Sequence, residues 1–236
     1  MHIINPHRFG ETFPVENIIS EYKYEDDVTD TVGSNNGTAT SITYGTGGVG
    51  KHGIFNGTSS YVSVADSSTL SFTDGSDLPF SISFMFNFNT ASSCMFVTKR
   101  NSSYTEYQCA WETASGGRLV FDIMSGGGTA NYKREYYPSF SPTLGQWYHV
   151  VMTYAGSGRQ EIYLDGVLQS TTQYLQGTYT GMSDTTAWVV QGRGGWGAYY
   201  YLDGDLDVVR FWDKELSADE VSAIATAELA GTDINP

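Results

Sequence analysis

Positive charge is scarce in this chain. Among 236 residues, 12 Lys and Arg face 26 Asp and Glu, a formal net charge of −14. Sequence-independent nucleic-acid binding needs clustered Lys and Arg, and here they are spread along the chain, so DNA and RNA are excluded as expected partners and anionic membranes are disfavoured. A field of that sign attracts cations instead. Long apolar runs are missing too: no segment approaches the ~18 residues of a membrane span. The opening "MHIINPHRFGETFP" has no basic stretch followed by an apolar one, so neither a secretion signal nor a membrane anchor is expected.

Histidine and cysteine are equally sparse. His2, His7, His52 and His149 have no metal-ligand spacing, and no Ser sits in a G-x-S-x-G elbow, so a Ser-His-Asp triad finds no support. His149 reads as a core or edge residue of a strand. If "SCMFVTKR" and "YTEYQCAWE" form a hairpin turning at Asn101-Ser102, the only two cysteines, Cys94 and Cys109, face each other across it. In a chain without a signal peptide a reduced, buried pair beside Phe96 and Tyr107 is preferred to a disulfide. No basic group nearby would make either a reactive thiolate.

What the chain does contain is aromatic and turn residues: 17 Tyr, 12 Phe, 5 Trp and 27 Gly, a composition that favours strands and turns over helices. "FSISFMFNF" places Phe80, Ile82, Phe84, Phe86 and Phe88 on one face and Ser81, Ser83 and Asn87 on the other, the alternation of a strand crossing a core. "WYHVVMTY" (147–154) is apolar on both faces and reads as a central strand. "RLVFDIM", "TAWVVQG" and "DLDVVRFW" read as further strands, and Asp165-Gly166 as a type I′ hairpin turn. One helix is signposted: Ser217 and Glu220 form a capping box, with Leu216 and Val221 placed as a hydrophobic staple, so a short helix is expected over about 218–229. No internal repeat occurs. Residues 1–19, broken by Pro6 and Pro14, read as an arm that docks elsewhere, and 20–236 as one all-β domain.

Two motifs resemble known sites and fail on context. "GTGGVGKH" (45–52) matches G-x-G-x-x-G, but no helix follows it and His52 stands where a phosphate loop needs Ser or Thr, so a plain glycine-rich loop is expected. In "LDGDLDVVRFW", Asp203, Asp205 and Asp207 alternate along a strand, which aims three carboxylates at one face. The stretch lacks the sixth-position Gly of an EF-hand. It is similar to the acidic strand of laminarinase-type glycoside hydrolases, but that strand carries Glu at both outer positions, so catalysis by 203–207 ranks last.

Taken in order, "YKYEDDVTDTVGSNNGTAT", "GGVGKHGIFNGTSSYVSVADSSTLSF", "PFSISFMFNF", "GQWYHVVMTY", "IYLDGVLQS", "VVQGRGGW" and "GDLDVVRFWDKELSADEV" resemble laminin-G-like domains of the concanavalin A-like jelly-roll superfamily. The resemblance covers about residues 20–229. It implies two antiparallel sheets in a jelly-roll sandwich with one short C-terminal helix. It also implies a structural Ca²⁺ pinning the start of the chain to its end, with Asp30, Gly33, Asn36 and Asp207 at the matching positions and Val208 where the family usually has Glu. Such an ion takes six to eight oxygens, a supply compatible with an Asp/Asn/Gly loop beside a strand carboxylate. The loop "GRGGWGAYYY" offers Trp196, Tyr199, Tyr200 and Tyr201 for stacking on sugar rings or anchoring a protein interface, with at least two of the four expected to point into the core.

Such sandwiches mostly bind. The leading expectation is therefore a non-enzymatic structural or adhesion protein, a capsid-decoration or fibre subunit of a tailed-phage virion, which assembles with itself or other virion proteins and contacts surface glycans. The alternative is a secreted carbohydrate-binding module.

Overall fold

The computed structural model describes residues 13–125, 130–138, 140–195 and 197–236. The first part of the chain forms β1 (Ile18–Tyr22), β2 (Gly37–Thr40), β3 (Thr43–Thr46), β4 (Lys51–Asn56), β5 (Tyr61–Val64) and β6 (Pro79–Thr90). Next come β7 (Cys94–Arg100), β8 (Thr105–Glu112), β9 (Arg118–Met124), β10 (Tyr132–Pro138) and β11 (Tyr148–Ala155). The last are β12 (Gln160–Leu164), β13 (Val167–Leu168), β14 (Thr172–Gln176), β15 (Val189–Gln191), β16 (Asp203–Trp212) and the helix α1 (Ala218–Leu229). They make two antiparallel sheets. The first runs β13-β12-β11-β6-β16-β4-β3, with β1 also paired to β16, and the second runs β14-β10-β9-β8-β7-β15-β5-β2. This is the expected jelly-roll sandwich with its C-terminal helix. No helix among the described residues is long and apolar enough to cross a membrane.

Period-2 patterning builds the core. Phe80, Ile82, Phe84, Phe86 and Phe88 of β6 are all fully buried and meet Phe96, Cys109 and Phe121 of the second sheet. Phe86 and Phe96 ring centroids lie 4.6 Å apart, and Phe72 stacks on Phe80 at 4.1 Å. Burying an aromatic or aliphatic side chain of this size contributes about 1.5–3 kcal/mol.

The polar side of β6 is also buried, because something covers it. Ser81 Oγ donates to Lys214 O and accepts from Leu216 N, and Trp212 Nε1 donates to Ser83 Oγ. These bonds seat the chain that leads into α1. The helix begins with the expected capping box and packs Val221 and Ile224 onto Val151, Tyr163 and Trp212. Asp165 and Gly166 take φ 51° and 80°, the positive pair that a type I′ turn requires.

β1 starts at Ile18, so the sandwich takes in the last residues assigned to the arm, and Phe13 already packs beside Ile18 and Trp212. The rest of the arm, 1–12, lies outside the described residues.

The cysteine pairing needs correction. Cys94 lies opposite Trp111, and Cys109 opposite Val97, with a bulge between Met95 and Val97. The turn is longer than the expected two residues. Asn101 N donates to Tyr104 O, and the Asn101 side chain accepts from Ser103 N and Tyr104 N, so four residues close the hairpin and the register slips. Both thiols are free and buried.

Candidate binding face

Two sheets have four faces, and two of them form the core. The outer face of the first sheet is occupied by α1 and the C-terminal tail, and by the β3–β4 loop. That leaves the outer face of the second sheet. There the register sets one continuous row across all eight strands: Tyr174, Arg134, Asp122, Gln108, Thr98, Val190, Ser63 and Thr38 are successive cross-strand partners.

The middle of this row is charged and buried. Arg134 grips Asp122 through two bonds of 2.7 Å, Nε to Oδ1 and Nη2 to Oδ2, and Gln108 Nε2 donates to Asp122 Oδ2 at 2.6 Å. Glu112 accepts from Arg118 Nε at 2.8 Å and from Arg134 Nη1 at 3.3 Å. Burial pushes the Asp122 carboxyl above its ordinary value, against the pull of Arg134 and Gln108. Burial likewise works against the Arg134 charge, but Asp122 and Glu112 outweigh it and raise that group. The pair is a forked, charge-assisted one, the geometry that fixes both planes.

Beside the polar row runs an apolar strip of Met95, Ala110 and Val120, flanked by Tyr136. A cavity of about 560 Å³ opens over this area, lined among others by Met95, Gln108, Trp111, Tyr132, Arg134 and Tyr200. Among the described residues five aromatic side chains are exposed: Tyr104, Tyr174, Trp188, Tyr199 and Tyr200. All five sit on strands of the second sheet, in its β7–β8 turn, or in the segments flanking β15. Convergent polar groups, an apolar floor and exposed rings are what a sugar or peptide site requires.

The expectation that at least two of the loop aromatics point into the core is not met: none of the three described ones is buried. Tyr200 lines the cavity, its carbonyl accepts from Met95 N at 3.1 Å, and Tyr199 is exposed, while Tyr201 is half-buried. Trp196 lies outside the described residues. Sequence reasoning missed Arg134, Asp122, Gln108 and Trp188. The signal was present as single polar residues at outward positions of "RLVFDIM" and "YKREYY", and as Trp188 and Val190 alternating with core Val189.

The four residues matched to a calcium site are not brought into one. Both Asp30 oxygens are saturated, accepting from Ser20 Oγ and from the amides of Glu21, Val32, Gly33 and Asn35. Burial works against that charge, but Ser20 and the amides outweigh it and hold the carboxyl below its ordinary value. Gly33 is required for close approach: a Cβ there would lie 2.6 Å from Asp30 Oδ2. Asn36 Oδ1 is taken by Asp30 N. Asp207 belongs elsewhere, accepting from Val49 N at 2.7 Å and Val208 N at 2.8 Å. Among the described residues no group of three or more His, Cys, Asp or Glu is placed to hold a metal ion. The residues present therefore do not fit the implied ion.

Asp203, Asp205 and Asp207 stand on β16 of the first sheet, outside the cavity just described. Asp205 Oδ2 lies 3.7 Å from His52 Nε2, and Asp207 is fully buried beneath the glycine-rich loop. That loop joins β3 to β4 with no helix behind it, and Gly48 lets it close: a Cβ there would sit 2.5 Å from Asp207 Oδ2. Burial pushes the Asp207 carboxyl up to about 8.

Comparison with known proteins agrees with this architecture. The domain 4 of AbnA, a GH43 extracellular arabinanase from Geobacillus stearothermophilus, solved in complex with arabinotriose, superposes with a TM-score of 0.64 at 18% identity, covering 89% of this chain and 98% of that one. The binding domain of Paraclostridial Mosquitocidal Protein 1 gives 0.68 at 15% identity, over 89% and 52%. The binding domain of botulinum neurotoxin DC, solved with rat synaptotagmin II, gives 0.66 at 15% identity, over 89% and 51%. The chain spans about half the length of these toxin domains. At such identities the likeness shows the fold alone. No curated protein matches the sequence. The Laminin_G_3 family model matches residues 56–222, most of the two-sheet body, and the chain accordingly belongs to that family of the concanavalin A-like lectin/glucanase superfamily.

Proposed function

We propose that this chain is a non-enzymatic glycan-binding module whose ligand lies across the outer face of the second sheet. The observation that carries the reading is the row centred on Arg134, Asp122 and Gln108, a preorganised polar floor flanked by exposed Tyr200 and Tyr174. Rigid donors and acceptors orient hydroxyl groups, and ring faces take the apolar side of a sugar. The arabinanase domain of similar fold was solved with an oligosaccharide, which supports the ligand class. A catalytic role has less behind it, since the β16 aspartates lie outside the cavity and the carboxylates on the sheet face are held in ion pairs.

The virion setting expected from the chain's organisation is one place such a module would serve, as an adhesive face on a particle, and a secreted protein is the other. The binding reading is common to both. It is tested by titrating a broad panel of oligosaccharides into the purified protein. Binding is expected, weakened about three- to tenfold by Tyr200→Ala, with an unchanged melting temperature because that ring is exposed. Absence of binding across the panel, or binding indifferent to substitutions on this face, overturns it.

A further inference from the structure

The same face carries a second cavity, and its chemistry differs from the first. It has a volume of about 380 Å³ and is lined by Tyr61, Ser63, Arg100, Trp188, Val190 and Arg193 among others. Arg100 lines both cavities, so the two adjoin across β7. Among the described residues no Asp or Glu lines the second, although the chain as a whole carries −14. In the first cavity Arg134 is neutralised by Asp122 and Glu112, whereas here the Arg193 guanidinium faces a ligand-sized space with no carboxylate among its described lining residues.

Arg193 is held in place. Its guanidinium carbon lies 3.8 Å from the centroid of the Tyr61 ring, and Nη1 donates to Gly197 O at 2.9 Å. Nε is shielded from water and has no hydrogen-bond partner. Across the cavity Trp188 leaves 53% of its surface in water. Trp188 and Val190 alternate with core Val189, so the strand itself aims the indole at this space. A flat apolar wall beside an uncompensated planar cation selects a ligand with a flat apolar face and a planar anion on one molecule.

We propose that the cavity between Trp188 and Arg193 is a subsite for a carboxylate-bearing sugar, a uronic acid or related acidic residue within the bound glycan. The inference rests on the glycan-binding reading above and adds the chemical class of one ring. The pyranose face lies against Trp188, and the carboxylate takes the guanidinium fork, which matches its geometry better than a lysine would. A sulfated sugar offers the same charge in a tetrahedral group, and the test separates the two.

The experiment is calorimetric titration with uronate oligosaccharides, each paired with its carboxyl-reduced neutral counterpart, and with sulfated neutral oligosaccharides. At least one uronate series is expected to bind about tenfold or more tightly than its reduced counterpart, the weight of a charge-assisted bond. Arg193→Gln is expected to erase that preference while leaving neutral binding in place, and Trp188→Ala to weaken both forms. Equal affinity before and after carboxyl reduction, a preference for the sulfated series, or an Arg193→Gln variant that still prefers the uronate overturns the acidic subsite and leaves sheet-face binding standing. Failure of every saccharide to bind overturns both readings.

Discussion

Glu21 and Arg210 face each other across the β1–β16 pair, with Oε1 2.5 Å from Nε and neither side chain exposed. The same guanidinium bonds Glu228 of α1 and, through Nη2 at 2.9 Å, Asp233 of the tail. Lys23 reaches Asp233 at 2.7 Å. One arginine thus ties the first strand, the last strand, the helix and the tail. It pins the start of the chain to its end, the role that the family resemblance assigns to calcium. For ion pairing among the described residues, removing it leaves buried Glu21 only the longer contact to Lys23 at 3.6 Å, and buried Glu228 only His149 at 3.2 Å. Arg210→Met should therefore cost about 3–5 kcal/mol in urea unfolding. A loss below about 1 kcal/mol would mean that α1 and the tail are held by apolar contact alone.

Much of this was legible in the residues because the period of the pattern fixes the face. The alternating phenylalanines of β6, the capping box at Ser217 and the Asp165-Gly166 turn each carry a local physical signal, and each stands where that signal puts it. The β7–β8 register was not legible. It depends on Asn101 capping a four-residue turn and on a bulge, and neither leaves a mark in hydrophobic alternation. The binding face was half legible. Exposed tyrosines before β16 announce themselves by a glycine-rich setting, whereas Arg134, Asp122 and Gln108 lie far apart in sequence and become a row only through strand pairing. Arg210 was hidden for the same reason.

Saturated Asp30 and the separate placement of Asp207 lead to a calcium prediction. Melting temperatures in calcium and in EGTA should agree to within about 1 °C, since a ligand that binds only the folded state at a hundredfold over its Kd adds about 2.7 kcal/mol and would shift the midpoint by several degrees. A calcium-dependent rise lost in Asp207→Ala would place a cation there after all.

Asp207 also sets a pH dependence. Its carboxyl is raised from 3.8 to about 8 in the folded protein. The folded state holds the proton more tightly, so this contribution is fully present below about pH 4 and is lost as pH rises through about 8. Glu228 and Asp233 act in the opposite sense: burial opposes their charge, yet Arg210, His149 and Lys23 hold them below their ordinary values, and their contribution disappears in acid. Between pH 5 and 8 the wild type should lose stability with a slope of up to about 1.4 kcal/mol per pH unit from Asp207. Urea midpoints across that range should fall less steeply in Asp207→Asn, whatever the variant's absolute stability. Parallel slopes would show that Asp207 is already ionised at pH 5.

The thiols should be silent. Burial pushes both Cys94 and Cys109 well above the ordinary thiol range, and neither lies opposite the other. A thiol reagent should label neither in the folded protein at pH 8 and both in denaturant, since the thiolate is the reacting form. Oxidised glutathione should leave the melting temperature unchanged. Rapid labelling of Cys109 in native buffer would mean that the second sheet opens far more readily than its packing implies.

Arg134 and Asp122 tie stability to the binding face in a way that a double-mutant cycle resolves. Arg134→Met leaves Asp122 fully buried without its forked partner, answered by Gln108 and by the charge of Arg100, and should cost about 3–5 kcal/mol. Asp122→Asn leaves Arg134 its contact with Glu112 at 3.2 Å and should cost about 1–2 kcal/mol. The double variant should cost less than the sum, because once Asp122 no longer carries a charge the loss of Arg134 strands nothing. Glycan affinity should fall in both single variants and stay low in the double one, since restoring stability does not restore the forked geometry that presents Arg134 and Gln108 to a ligand. Recovery of affinity along with stability would show that the pair supports the sheet without shaping the site.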